Sequence, residues 1–141
     1  MIREPKFAHF PKNMKFPKPI QEQIKLVEGF TAAWAEEDAE YAVRQHNLSE
    51  AKSRDAEALR AAAIAGEPDP GTSATDEAAR ALVYQEERVR AAARAVSRES
   101  QALTSLFGEH RFELMEEACV TAERTVESFQ EEMSQVRKMV L

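Results

Sequence analysis

Apolar residues recur along this chain at steps of three, four and seven, the spacing that places them on one face of an α-helix. The first set is Ile20, Ile24, Val27, Trp34, Tyr41 and Leu48, and the second is Ala78, Leu82, Val89, Ala92, Val96, Leu103 and Leu106. Both sets follow the a and d positions of a heptad, which predicts two helices that pack through a coiled-coil seam. Polar residues interrupt the first seam between Asp38 and Lys52, so burial there is expected to be shallow.

Proline and glycine positions predict where the helices begin and end. Four of the six prolines lie in residues 1–19, and the other two, Pro68 and Pro70, follow Gly66, which suits the left-handed position after a helix. We therefore predict an all-α fold with an extended N-terminal arm (1–19), a helix (20–65), a short loop (66–73) and a helical region (74–140). Because the loop is short, residues 20–141 are expected to form an elongated antiparallel helical hairpin, with paired residue numbers that sum to about 140.

The end of the chain has no partner in that register. Beyond residue 119 it still carries an apolar stripe, made of Val120, Val126, Phe129, Met133, Val136 and Val140. A single helix with such a face is not stable alone in water. Two arrangements would cover it: the chain breaks near Gly108 and residues 109–141 fold back as a third helix, or the overhang binds another chain.

The N-terminal arm has a period of three residues. Every third residue from Arg3 to Lys18 is basic or, at His9, can become so; phenylalanines occupy a second class and prolines a third. A polyproline II helix has three residues per turn, so it would display these classes as separate basic, aromatic and proline-rich ridges.

Charge separates the arm from the rest of the chain. The protein has 25 acidic and 19 basic residues, a net charge of −6, whereas the arm has five Lys and Arg against one Glu. The arm could lie on its own acidic helices, dock on another protein or bind nucleic acid, although the acidic body opposes the last. We favour the hypothesis that the arm docks on another protein and that the C-terminal apolar stripe makes a second contact. The predicted partner-binding residues are Lys6, Phe7, Phe10, Lys12, Lys15, Phe16, Lys18, Val126, Phe129, Met133, Val136 and Val140.

Candidate chemistry is sparse. One cysteine excludes a disulfide framework, four glycines are too few for a dinucleotide-binding fold, and no phosphate-binding or nucleophile motif occurs. His110 and Glu113 have helical spacing but form no ligand set, and Cys119 has no histidine partner. We expect no enzyme, no metal site and no cofactor. The sequence lacks both a long apolar run and a signal peptide, so we expect a cytoplasmic protein or one incorporated in a particle, with no membrane segment.

Composition favours a protein that is completed by a partner. The chain has 24 alanines but only 28 Leu, Ile, Val and Phe residues, which allows only a thin core. We expect a structural or adaptor subunit of a larger assembly, such as a phage particle or a secretion-type complex, either as a homo-oligomer or beside other subunits. The alternative is a small acidic regulatory or chaperone-like module that binds a basic protein.

Overall fold

The computed structural model describes residues 4–5 and 15–140, and within them it contains three α-helices and no β-strand. The helices are α1 (Lys18–Ala65), α2 (Ser73–Glu109) and α3 (Arg111–Val140). The predicted all-α class is thereby confirmed. Helix α1 begins at Lys18, two residues earlier than predicted, because Pro19 is tolerated in a first turn where its missing N–H has no intrahelical partner.

Helix α1 ends where the sequence predicted. Gly66 adopts φ 70°, the left-handed conformation that costs glycine little. Its N–H donates to Ala63 O, and the N–H of Glu67 donates to Ala62 O at 2.8 Å. This pair of hydrogen bonds is the Schellman motif, which satisfies the last carbonyl groups of the helix.

Among the hydrogen-bonded residue pairs that join α1 to α2, three define the relative direction of the helices. They are Gln23 with Glu99, Glu37 with Gln85, and Asp55 with Thr75. Residue numbers fall along α2 as they rise along α1, so the two helices run in opposite directions.

The register between α1 and α2 differs from the expected one. The paired residue numbers sum to 122, 122 and 130 rather than about 140, so the predicted register is wrong. The expectation assumed a tight turn, whereas the first turn of α2 lies beside Asp55, well before the end of α1. Ser73, the first residue of α2, then lies near residue 57, so residues 58–65 extend past the start of α2 by about 12 Å. The loop after Gly66 can span that distance, since seven extended residues reach about 23 Å.

The core between these helices is thin. Among the described residues, the largest fully buried side chains are those of Ile20, Val89, Val96 and Leu103. Ile20, Val27 and Leu103 form one buried cluster, here called the end cluster, and partly buried side chains pack around it: Phe16, Ile24, Leu106, Phe107 and Leu114. The end cluster is where α1, α2 and the start of α3 meet.

The helix is interrupted at His110, between α2 and α3. This lies close to the break predicted at Gly108, which remains inside α2. His110 has φ −102° and ψ 17°, and hydrogen bonds continue across it from His110 N–H to Leu106 O and from Leu114 N–H to His110 O, each 3.0 Å long. No Cα atom of α3 lies within 8 Å of a Cα atom of α1. Of the two arrangements considered for the end of the chain, the fold-back onto α1 does not occur among the described residues. None of the described helices combines the length and apolar character needed to cross a bilayer.

Candidate functional site

Helix α3 exposes a row of large apolar side chains. Their exposed fractions range from 44% at Met133 to 71% at Phe112. The other members are Met115, Val126, Phe129 and Val136. Exposed apolar surface of this extent is typical of interaction sites, so α3 is the candidate functional element.

These residues follow one uninterrupted heptad register along the whole helix. The a and d positions are Phe112, Met115, Cys119, Ala122, Val126, Phe129, Met133, Val136 and Val140, all of them apolar, and are here called the α3 stripe. The apolar pattern of the sequence predicted the last five. The first four were not predicted, because the unpaired segment was expected to begin at Val120, which this register places at a b position. Extending the three-four spacing back from Val126 would have found them.

From Phe112 to Val136 the α3 stripe is exposed and faces away from the helix pair α1–α2. Leu114 packs against the end cluster, and Glu117 and Thr121 are partly buried on the same side of α3. At 100° per residue, Leu114 lies about 130° from the middle of Phe112 and Met115 around the helix axis. Phe112 and Met115 are accordingly exposed while Leu114 is not. Contact with the end cluster thus holds α3 on the side away from the stripe, and the stripe side chains remain exposed to solvent.

Charged residues border the α3 stripe along its length. Arg111, Glu116, Glu123, Glu132 and Arg137 lie at the e and g positions beside it, and all are exposed. The charges suit the helix itself, with Glu113 in the first turn and Arg137 and Lys138 in the last, where they oppose the helix dipole. A partner that covers the stripe would meet these flanking charges at its rim.

The predicted arm residues fall into three groups. Lys6, Phe7, Phe10 and Lys12 lie outside the described residues. Lys15 is exposed, and so is Lys18, which belongs to α1 rather than to an arm. Phe16 packs on its own chain: its ring centroid is 5.9 Å from that of Phe107. For Phe16 the structure therefore shows the intramolecular packing that sequence analysis considered as an alternative to docking on a partner.

A polar network joins the middle of α1 to α2. Glu37 accepts hydrogen bonds of 2.6 Å from Gln85 Nε2 and from Arg88 Nη2. The hydrogen bonds from Arg88, followed by the one from Gln85, lower the pKa of Glu37 below its ordinary value. The pKa of Arg88 is raised, first by Glu37 and then by the Tyr84 hydroxyl. All these partners belong to the helix pair, so this network fixes its register.

Asp55 of α1 caps α2 across the helix interface. Its Oδ2 accepts hydrogen bonds from the Thr75 hydroxyl at 2.6 Å and from the Thr75 N–H at 2.9 Å. These bonds, the side-chain one first, lower the pKa of Asp55. Thr72, at the N-cap position, makes no capping hydrogen bond of its own. The local sequence around the start of α2 does not reveal this cap, because the capping group comes from a residue 20 positions away.

The candidate chemical residues lie on the surface or near the helix junction. His110 Nδ1 is 3.4 Å from Glu113 Oε1, and the Cys119 side chain is exposed on α3. In the described part of the chain, no three His, Cys, Asp or Glu side chains come together in a way that could hold a metal ion.

Comparison with known proteins adds no relationship: no family model matches this sequence, and no curated protein or solved structure is significantly similar to it.

Proposed function

We propose that this protein is a non-enzymatic structural or adaptor subunit of a larger protein assembly. In this proposal α1 and α2 form an antiparallel hairpin of the coiled-coil type, which serves as a scaffold. The α3 stripe is the docking surface. Residues of the N-terminal segment, with their lysines and phenylalanines, add a second contact. The observation that carries the proposal is the exposed α3 stripe itself.

The energetic argument concerns apolar side chains left in water. Fully burying a Val, Phe or Met side chain is worth about 1.5–3 kcal/mol. Six such side chains of the α3 stripe are at least 44% exposed, so a partner that covers them gains several of these contributions at once. Helix-in-groove and helix–helix docking both use apolar anchors at this spacing. The charged rim would orient the partner and steer its approach.

A second candidate function is an acidic regulatory or chaperone-like module. The observation that favours it is the charge: residues 20–141 contain 24 acidic side chains, and the whole chain has a net charge of −6. A basic partner would then be held mainly by charge, and its affinity would fall steeply as salt is added. Docking through the apolar stripe predicts weak salt dependence instead.

Photocrosslinking in the cells that make the protein tests the proposal. Benzoylphenylalanine replaces Phe129 in the stripe and, in a matched variant, Ser128 at an outward c position of the same helix turn. We expect heavier protein products from the Phe129 position, identified by mass spectrometry as specific subunits, and few from Ser128. If the two positions yield equal products, or neither yields any, α3 does not dock on a protein.

A further inference from the structure

The α3 stripe has the length and continuity of a coiled-coil strand. It keeps nine consecutive a and d positions apolar over four heptads, residues 112–139, and into Val140. A heptad pattern sustained over three to four heptads and flanked by e and g charges is typical of coiled coils. The repeat of 3.5 residues also keeps the seam facing a second helix over this distance. The stripe therefore fits another long helix better than a compact pocket.

The flanking charges of α3 complement a second α3 that runs parallel and in register. In that arrangement each g residue faces the e residue five positions later on the other helix. Arg111 then meets Glu116 of the second copy, and Glu132 meets Arg137 of the second copy. The twofold symmetry of the two copies repeats both of these charge pairs on the other side of the coiled coil. The two remaining levels, Ala118 with Glu123 and Thr125 with Gln130, bring no like charges together.

An antiparallel pair matches fewer charges. With Val126 opposite Phe129 of the second copy, e faces e and g faces g. Glu116 opposite Arg137 is then the one pairing of opposite charges, repeated by symmetry, and Arg111 has no partner. The parallel arrangement thus doubles the number of complementary pairs.

The position of the helix pair α1–α2 permits this association. Leu114 holds α3 to the end cluster from the side opposite the stripe. The small residues Cys119 and Ala122 lie in the stripe and allow close approach of two helices. Cys119 occupies an a position, so in a parallel pair it faces Cys119 of the second copy, whereas in the antiparallel pair it faces Val136.

We propose that two copies of this chain associate through their α3 stripes in a parallel, in-register, two-stranded coiled coil. This inference rests on the proposed function, because it names the partner of the same surface.

Light scattering after size exclusion measures the association of the full chain. We expect a mass of twice 15.9 kDa. Val126→Glu with Val136→Glu places two charges in the stripe and should halve the mass. Ser128→Glu with Gln135→Glu adds the same charge at c positions and should leave the mass unchanged. Circular dichroism checks that all variants remain helical.

Disulfide formation tests the parallel register. In a parallel pair the a positions approach within the Cα separation of about 4.4–6.8 Å that a disulfide requires. Oxidised glutathione should then link two Cys119 thiols, giving one disulfide and two molecules of reduced glutathione. In the Cys119→Ser background, Met133→Cys should also give a covalent dimer and Ser128→Cys should not.

Three results would overturn the inference. They are a monomer at 100 µM protein, a multimer that fails to cross-link at Cys119 and at Met133→Cys, and cross-linking at Ser128→Cys as fast as at Cys119. A purified monomer whose Phe129 position photocrosslinks in cells to a different chain refutes self-association but leaves the proposed function standing. A purified monomer without any cellular crosslink refutes both.

Discussion

Leu103→Ala should be among the most destabilising truncations in this chain. Leu103 is fully buried in the end cluster, against Ile20 and Val27. The substitution removes three carbon atoms, and at about 0.8 kcal/mol each this amounts to about 2.4 kcal/mol of lost burial. A residual cavity adds to that cost, although a thin core can partly collapse around it. We therefore expect a total loss of about 3 kcal/mol, within the usual range for Leu→Ala.

Urea unfolding followed by circular dichroism at 222 nm measures this loss, at one fixed protein concentration because the proposed association would contribute to stability. With a slope of about 2 kcal/mol per molar urea, the midpoint should fall by about 1.5 M. Leu26→Ala is the matched control, since Leu26 precedes Val27 in α1 but is 49% exposed. Its midpoint should change by less than half as much. Equal shifts for the two variants would refute the assignment of the end cluster as the core of the fold.

Three further perturbations have defined outcomes. Gly66→Ala should destabilise the fold by about 1–2 kcal/mol because its φ of 70° is left-handed. Gly29→Ala lies inside α1 with open space at the Cβ position, so it should stabilise the fold by about 0.5–1 kcal/mol. Thermal unfolding should therefore shift the melting temperatures of the two variants in opposite directions. Asp55→Ala should lower the melting temperature and increase amide exchange at the start of α2, because it removes the only side-chain cap described there; unchanged exchange would contradict this capping role. The pKa values of Asp55 and Glu37 are lowered in the folded chain, so their contribution is complete above their unfolded pKa values, about 4, and is lost as pH falls through the folded ones. Melting temperatures from pH 6 to pH 2.5 should therefore drop less for Asp55→Asn with Glu37→Gln than for the native chain, and parallel curves would contradict the assignment.

Sequence reasoning succeeded where the cause is local. The a and d spacing and the absence of proline between Ile20 and Ala65 predicted a long helix, and Gly66 predicted its end. Both depend on backbone preferences and neighbouring residues, which the sequence displays directly. The last five residues of the α3 stripe were visible for the same reason.

The register of α1 against α2 could not be predicted in this way. A slip of whole heptads brings a and d positions back opposite a and d positions, so the apolar pattern fits several registers about equally well. Polar contacts between distant residues distinguish them: Glu37 with Gln85 and Arg88, and Asp55 with Thr75. The same contacts explain why α2 is capped by a residue from another helix.

Sequence patterns therefore predicted the helical class, the end of α1 at Gly66 and an apolar face on the last helix, because each follows from periodicity or from the backbone conformation of single residues. Long-range packing established the register of α1 and α2, the packing of Phe16 on its own chain and the exposure of the α3 stripe. These depend on which distant side chains meet. Leu114 attaches α3 to the end cluster from one side, and the stripe on the opposite side of α3 consequently remains open.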